Sequence, residues 1–279
     1  MKKLVILTLA IPVFLSSCFD TELVFEDQFE PVIQAYLFKN QPVEGVRITS
    51  MYSFGTDTTI GGQNISDALV ILQQGDNTWQ LEHNDDDSGS YFLNEAISMV
   101  AGDTFRLAAT IGDDVYSAFT VVPDDPPVVT MSTDTIMIDR VVDMMDFRDM
   151  EMPDPVEFTW DNPDARYFFI RVQNIESYED NIMPDPPDDM PFKHDGFNFQ
   201  MDSRPINDSV YELTPRELTH YGTHQIIIYS VNEEYVALYN TQEQDSHELN
   251  EPFTNIEEGL GIFTAFTSDT LYLEVIDNQ

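Results

Sequence analysis

The sequence predicts a mainly β protein of two β-sandwich-like domains, the second with one short helix and long acidic loops. Short β-rich runs alternate with turn residues, as in Val32–Phe38, Ala68–Leu72 and Val156–Trp160. No helical period appears among the runs before residue 123. Hydrophobic residues make up 42% of the chain and aromatic residues 12%, more than a disordered acidic chain contains. These observations together predict a folded, all-β body.

Individual elements follow from local signals. Phe105–Thr110 and Val115–Val122 predict a hairpin, because Gly112-Asp113-Asp114 supplies turn residues between them. Asn232-Glu233-Glu234 precedes apolar residues at helical spacing, which predicts a helix near residues 232–242. Ile262–Phe266 and Leu271–Ile276 predict two closing strands.

The chain divides at Asp124-Asp125-Pro126-Pro127, where paired prolines favour extended backbone and paired aspartates keep it solvated. Ser66–Phe92, with its Gly89-Ser90-Tyr91, resembles prealbumin-like or Ig-like β-sandwiches of surface proteins. Trp160 and Tyr167, separated by a Pro-containing turn, resemble the start of a fibronectin type III domain. We therefore expect a signal peptide over 1–17, a tether over 18–30, a sandwich over 31–123, a linker over 124–127 and a second β-rich domain over 128–279.

The first 17 residues have the three parts of an export signal: Lys2-Lys3, the apolar run Leu4–Leu15, and Ser16-Ser17 before Cys18. The run is too short for a membrane-spanning helix, which needs about 20 apolar residues. Leu15–Cys18 resembles the lipobox of bacterial lipoproteins, which implies cleavage before Cys18 and a lipid on its thiol. Cys18 is the only cysteine, so its lipidation leaves no thiol for a disulfide or a thiolate metal site.

Acidic residues dominate the charge. The whole chain carries −39, and loss of residues 1–17 leaves 10 basic against 51 acidic residues, a formal charge of −41. Phosphate backbones repel such a body, which excludes nucleic-acid binding. Asp20 and Glu22 directly follow Cys18, and acids there resemble the surface-export signal of lipoproteins in the Bacteroidota. This resemblance implies a lipid-anchored protein on the cell-surface face of the outer membrane, with the periplasmic face as the alternative.

The C-terminal segment carries a more specific resemblance. Glu234–Tyr239, Glu251–Phe253 and Asn255–Phe263 resemble the closing signature of an uncharacterised lipoprotein family of the Bacteroidota, often encoded beside TonB-dependent receptors. The resemblance implies an accessory role with an outer-membrane protein partner and supplies no chemistry. From the residues themselves, Gly259 and Gly261 suit a bend or a close backbone approach before a strand. The residues that carry the signature are Asn255, Gly259, Gly261 and Phe263.

One acidic segment has the ligand spacing of an EF-hand loop. Asn84, Asp86 and Ser88 occupy the first, third and fifth places, and Glu95 the twelfth. The flanking residues, however, favour strands of a hairpin, and Asn, Asp, Ser and Gly are ordinary turn residues. A Ca²⁺ site and a solvated turn both remain open, and we expect no other cofactor. His220 and His224 are four residues apart, but Gly222 between them and the strand after them argue against the helix on which a zinc site uses that spacing.

The Pro-rich segment from Ser177 to Arg204 cannot be a strand or a helix. Apolar residues among its acids predict a contact loop, unless they pack on the second sandwich. These contact residues are Met183, Met190, Phe192 and Phe197. No nucleophile elbow or zinc-protease helix appears in the sequence. We therefore expect a non-catalytic accessory or binding protein, the alternatives being a lipid-anchored hydrolase of glycans or peptides and a calcium-dependent adhesion module.

Overall fold

A computed structural model describes residues 30–51, 62–141, 151–178, 180–183, 201–242 and 253–278. Within these ranges the chain forms sixteen strands, one α-helix and a 3-10 turn at Pro215–Glu217. The predicted all-β fold class is therefore confirmed. The elements are β1 Pro31–Phe38, β2 Pro42–Ser50, β3 Leu69–Gln74, β4 Asn77–Gln80, β5 Glu82–His83, β6 Ser90–Ala96, β7 Thr104–Ile111, β8 Asp114–Val121, β9 Thr130–Met131, β10 Thr135–Ile138, β11 Val156–Thr159, β12 Tyr167–Asn174, β13 Met201–Asp202, β14 Val210–Leu213, β15 Gly222–Val231, α1 Glu233–Gln242 and β16 Leu260–Asp277.

Nine of these strands form one large sheet. Its order is β13-β12-β15-β16-β1-β2-β6-β5, and β10 also pairs with β16. The first half of β16 runs parallel to β1, up to the pair Phe38 and Phe266. The second half runs antiparallel to β15, from the pair Ser230 and Thr267 onward. One 18-residue strand thus belongs to both halves of the molecule.

Two smaller sheets complete two hydrophobic cores. The sheet β4-β3-β7-β8 belongs to the first core and the sheet β14-β11-β9 to the second. Side chains alternate between the two faces of each strand. In β7, Phe105, Leu107 and Ala109 are buried, whereas Arg106 is exposed and Ala108 is half-buried. Phe263 and Ala265 of β16 lie in the first core. The C-terminal strand therefore completes the N-terminal sandwich.

The remaining face of β16 carries a third, aromatic cluster, which includes the helix predicted near residues 232–242. Phe38 stacks on Phe266 with ring centroids 5.0 Å apart. Tyr235 of α1 meets Phe266 edge-on at 5.2 Å, and Phe169 and Tyr229 complete the cluster. This packing, more than its short amphipathic pattern, holds a ten-residue helix in place.

The predicted linker is held by contacts from both sides. Lys39 Nζ forms an ion pair with Asp125 at 2.6 Å. Arg166 Nη1 donates to the Asp125 carbonyl oxygen at 3.2 Å, and Thr267 Oγ1 donates to the Asp124 carbonyl oxygen at 2.9 Å. The Thr267 bond attaches the linker to β16 where the two halves of the large sheet meet. Lys39 directly follows β1 and Arg166 directly precedes β12, so the other two bonds attach the linker to the ends of these strands. No helix in the described part of the chain is long and apolar enough to cross a membrane.

Candidate functional site

The closing loop that leads into β16 is held by the side-chain amide of Asn255. Its Nδ2 donates to the carbonyl oxygen of Phe263 at 2.8 Å, and the Phe263 N–H donates to Asn255 Oδ1 at 2.9 Å. The amide thereby provides a hydrogen-bond partner for both the N–H and the C=O of Phe263 in β16, as a neighbouring strand would. The Phe263 side chain is fully buried in the first core. Both residues therefore serve the fold.

The two signature glycines allow close approach between chain segments. Gly261 has φ +113°, and a Cβ atom there would lie 2.0 Å from the carbonyl oxygen of Ile33 in β1. A Cβ atom at Gly259 would lie 3.1 Å from Cδ1 of Tyr116 and 3.4 Å from the carbonyl oxygen of Pro31. Glycine permits the Gly261 conformation because it has no Cβ. The bend predicted from these glycines corresponds to this crowded entry into β16.

The same loop also attaches to β8, through a pair that sequence reasoning missed. The Glu257 N–H donates to the Ser117 carbonyl oxygen at 2.7 Å, and Ser117 Oγ donates to Glu257 Oε2 at 2.7 Å. Ser117 and Glu257 are 140 residues apart, and neither has a local signal that points to the other. The loop thus closes one edge of the first sandwich.

The acidic segment with EF-hand spacing forms the turn between β5 and β6. Asn84 Oδ1 accepts from the Asp86 N–H at 3.1 Å, which is the side-chain bond of an Asx turn. Asp87 pairs with Arg47 at 2.6 Å, and the hydroxyl of Ser88 shares a hydrogen bond with that of Ser66. Glu95 lies exposed on β6. No cluster of three or more His, Cys, Asp or Glu side chains suited to a metal occurs in the described ranges, and the Ca²⁺ prediction stays a prediction.

The predicted contact segment begins with an anchored root. Ile182 is 2% exposed, and its backbone bonds to Thr219 and Val141 at 2.9 and 3.0 Å. Arg140 pairs with Asp180 at 2.8 Å. Met183 packs against the second core and thus belongs to this root. The segment ends in β13, which pairs with β12, so the prediction that 177–204 contains no strand is wrong at its end, where tertiary pairing overrides composition. Met190, Phe192 and Phe197 lie outside the described residues, as do Cys18, Asp20 and Glu22.

His224 is the most buried of the described histidines, with an exposed fraction of 3%. Its Nδ1 lies 3.1 Å from the carbonyl oxygen of Gly222, and burial lowers its pKa from the ordinary 6.5. Nδ1 of His220 instead lies 2.6 Å from the hydroxyl of Thr219. Beside them, burial raises the pKa of Tyr221 to about 12. We interpret His224 as a neutral imidazole built into the second core.

The fold and its closing loop define an all-β sandwich protein whose signature residues maintain strand pairing. The sequence profile described as Domain of unknown function (DUF4249) matches residues 20–271, and the chain belongs to this family. The predicted membership in a family of unknown function is therefore confirmed.

Two solved structures are among the matches to this chain, both with low TM-scores. The FN1-FN3 domains of chicken CNTN1 are 11% identical over 72% of this chain and 60% of theirs, with a TM-score of 0.25. Domains A168-A170 of titin are 9% identical over 88% of this chain and 66% of theirs, with a TM-score of 0.20. The chain thus spans less than two thirds of either structure. No curated protein matches the sequence.

Proposed function

We propose that the protein is a lipid-anchored outer-membrane lipoprotein of the Bacteroidota, exposed at the cell surface. It acts as a non-catalytic accessory or binding subunit of a TonB-dependent transporter or a similar outer-membrane complex. The observation that carries the proposal is the export signal ending in Leu15–Cys18, followed directly by Asp20 and Glu22. A lipid on Cys18 holds the body at a membrane without any spanning segment.

The distance from anchor to body supports a role at the membrane surface. β1 begins at Pro31, so twelve residues separate Cys18 from the first strand, and they reach at most about 40 Å when extended. A charge of −41 on the mature chain keeps the crowded body soluble and repels anionic lipid. The short tether therefore keeps the folded body close to other membrane proteins, while its negative charge keeps it away from anionic lipid.

The signature residues of the closing loop have structural roles. Asn255, Gly259, Gly261 and Phe263 are occupied by backbone bonds and packing, so the residues that mark the family specify its shape. A gene neighbourhood distinguishes this proposal from a lipid-anchored hydrolase. An adjacent receptor gene supports the accessory role, whereas a sugar or peptide catabolic cluster without a receptor supports the hydrolase.

Lipidation at Cys18 is tested by metabolic labelling with an alkyne fatty acid. We expect the wild-type chain and the control Ser16→Ala to be labelled and to sediment with membranes. Cys18→Ala should lose the label and appear in the soluble fraction, because no other thiol can receive the lipid. A Cys18→Ala protein that remains membrane-bound would contradict the anchor.

The leaflet is tested on the same cells with external protease. Wild-type protein should be digested, and Asp20→Ala/Glu22→Ala should be protected. Glu26→Ala/Asp27→Ala removes the same charge further from the lipid and should still be digested. Equal digestion of all three proteins would show that Asp20 and Glu22 do not direct export.

A further inference from the structure

Three residues form a row across the outer face of the large sheet. Gln173 of β12 lies opposite Gln225 of β15, and Gln225 lies opposite Tyr272 of β16. Directly opposed residues of antiparallel strands point to the same face of a sheet. Ile226 and Leu273, the next residues along β15 and β16, lie in the second core, so the row is on the face turned away from that core. We call Gln173, Gln225 and Tyr272 the Gln-Tyr row.

The polar groups of the Gln-Tyr row are available to a ligand. Tyr272 is 55% exposed, and Gln173 and Gln225 are half-buried. Neither glutamine amide nor the tyrosine hydroxyl forms a hydrogen bond with the described part of the chain. Each amide therefore offers two N–H donors and one carbonyl acceptor, on neighbouring strands about 5 Å apart.

The scaffold under the row is rigid, because its middle strand is paired on both sides. β15 bonds to β12 along one edge and to β16 along the other, so no free strand edge is available here for a peptide to extend the sheet. Ile227, the previous outward residue of β15 toward α1, packs against the aromatic cluster. The row thus begins where the cover of this face by the aromatic cluster ends.

The surroundings of Tyr272 are polar. Thr270 and Glu274 flank it along β16, and across the sheet it faces the second glutamine of the row. Ile175 and Met137 are exposed on the same face, but Ile175 follows β12, two strands away, and Met137 pairs with β16 four residues beyond Tyr272. A single aromatic ring among polar groups lacks the fully buried apolar centre of a protein interface.

The row itself carries no charge, and the charges beside it are engaged. Arg171, two residues before Gln173, forms an ion pair with Asp202 at 2.8 Å. Glu274 accepts a hydrogen bond from Thr223 Oγ1 at 3.0 Å. The mature chain carries −41 and repels anions, and the guanidinium nearest the row already holds a carboxylate. The site therefore favours an uncharged ligand.

We propose that the Gln-Tyr row binds a neutral polysaccharide chain. A sugar ring has an apolar C–H face, which packs on an exposed aromatic ring, and hydroxyls around it, which donate and accept hydrogen bonds as glutamine amides do. The row crosses three strands, about 10 Å, which suits successive sugars of one chain. This inference goes beyond the proposed function by naming a ligand class, and it depends on neither the lipid anchor nor the transporter.

Affinity electrophoresis of the whole purified protein, in a detergent without sugar groups, tests this site. The strong negative charge moves the protein through a native gel, and a polysaccharide held in the gel retards it when the two bind. The gels contain dextran, laminarin or galactomannan, which are neutral, or polygalacturonate, which is anionic. We expect retardation by at least one neutral polysaccharide and none by polygalacturonate.

Two variants of the row and one control assign the binding to these residues. Tyr272→Ala should weaken binding about tenfold, because the ring contact is lost, and Gln225→Ala should weaken it several-fold. Neither change should lower the melting temperature, since neither polar group has a described partner in the chain. Phe119→Ala removes an aromatic residue of similar exposure, 53%, from β8 and should bind as wild type does.

The outcomes separate this inference from the proposed function. No retardation by the three neutral polysaccharides, retardation by polygalacturonate alone, or equal weakening in Tyr272→Ala and Phe119→Ala would overturn the site. A Tyr272→Ala protein that loses a protein partner and keeps its polysaccharide would overturn it as well. Gln225→Ala decides the result if Tyr272→Ala melts at a lower temperature. Binding through Tyr272 by a protein that elutes without any outer-membrane partner would support this inference and contradict the proposed function.

Discussion

Gly261 is a residue at which the fold tolerates little change. It combines φ +113° with a Cβ position 2.0 Å from a backbone oxygen of β1, and that strand cannot move without breaking the pairing of Ile33 with Gly261. We expect Gly261→Ala to lower the free energy of unfolding by about 3 kcal/mol or more. Denaturant unfolding measures this loss.

Gly75 provides the matched control for that substitution. It also has positive φ, +55°, but a Cβ atom there meets nothing within 4 Å. Gly75→Ala should therefore lower the free energy of unfolding only by the cost of a positive φ at alanine, about 1 kcal/mol. Equal losses for the two variants would show that contact with Ile33 does not matter.

His224 gives a pH dependence whose sign follows from its burial. The native imidazole has a pKa below 6.5, so below pH 6.5 the unfolded chain takes up a proton that the native chain does not. This contribution to stability is complete above pH 6.5 and is lost as the pH falls toward the native pKa. The loss is at most about 1.4 kcal/mol per pH unit.

Thermal melting between about pH 7.5 and about pH 5.5 checks this slope. His224→Gln should lose less stability than wild type over that interval. A His224→Gln protein with the wild-type slope would contradict a neutral buried imidazole.

Residues differ in how far the sequence reveals them. The prediction at Cys18 depends on a contiguous pattern, Leu15–Cys18, so a single sequence is enough to make it. The sequence also shows the EF-hand spacing around Asn84. In the structure, Asn84 Oδ1 accepts a hydrogen bond from the Asp86 N–H within the turn, and residue spacing alone does not reveal that bond. The pair of Ser117 and Glu257 depends on tertiary structure, so no local pattern predicts it.

At the scale of elements, the sequence predicted the hairpin of β7 and β8 well, because Gly112-Asp113-Asp114 is a strong turn signal. It was wrong about the C-terminus, where two strands were expected and β16 is one. Thr267–Thr270 has the composition of a turn. Pairing with β15 keeps it extended, since Asp269 lies opposite Ile228, and tertiary pairing overrides local propensity.

The segment from Ser177 to Arg204 can be tested without removing its root. Replacing residues 184–200 by a Gly/Ser segment of equal length keeps Asp180 and Ile182, which bond to the second sandwich. We expect an unchanged melting temperature and reduced co-purification with the proposed receptor, because Met190, Phe192 and Phe197 are lost. Thermal melting and quantitative co-purification measure the two effects.

Two results would contradict a contact role for this segment. Full retention of the receptor would show that the replaced residues do not bind it. A large fall in melting temperature would show that their aromatic side chains pack on the body instead. Asp180→Ala is the control for the root, and it should lower stability without affecting receptor binding by the folded protein.

The whole molecule combines strong self-repulsion with a few structural cations. Lys39, Arg47, Arg140 and Arg171 each pair with an aspartate distant in sequence. Such exposed pairs contribute little energy individually, about 0–1 kcal/mol. They place the few positive charges where loops and linker meet the body. Net charge and composition predicted this acidic surface, but the aspartate that each cation pairs with is set by the tertiary fold.

The most direct test of the account is the size and composition of the lipidated protein extracted from membranes in mild detergent. Light scattering with quantitative mass spectrometry should find it in a stoichiometric complex with a TonB-dependent receptor or another single outer-membrane protein. Cys18→Ala should yield the free protein, because it no longer shares the membrane with its partner. Wild-type protein that is lipidated and surface-exposed, yet elutes alone at every detergent concentration, would contradict an accessory subunit.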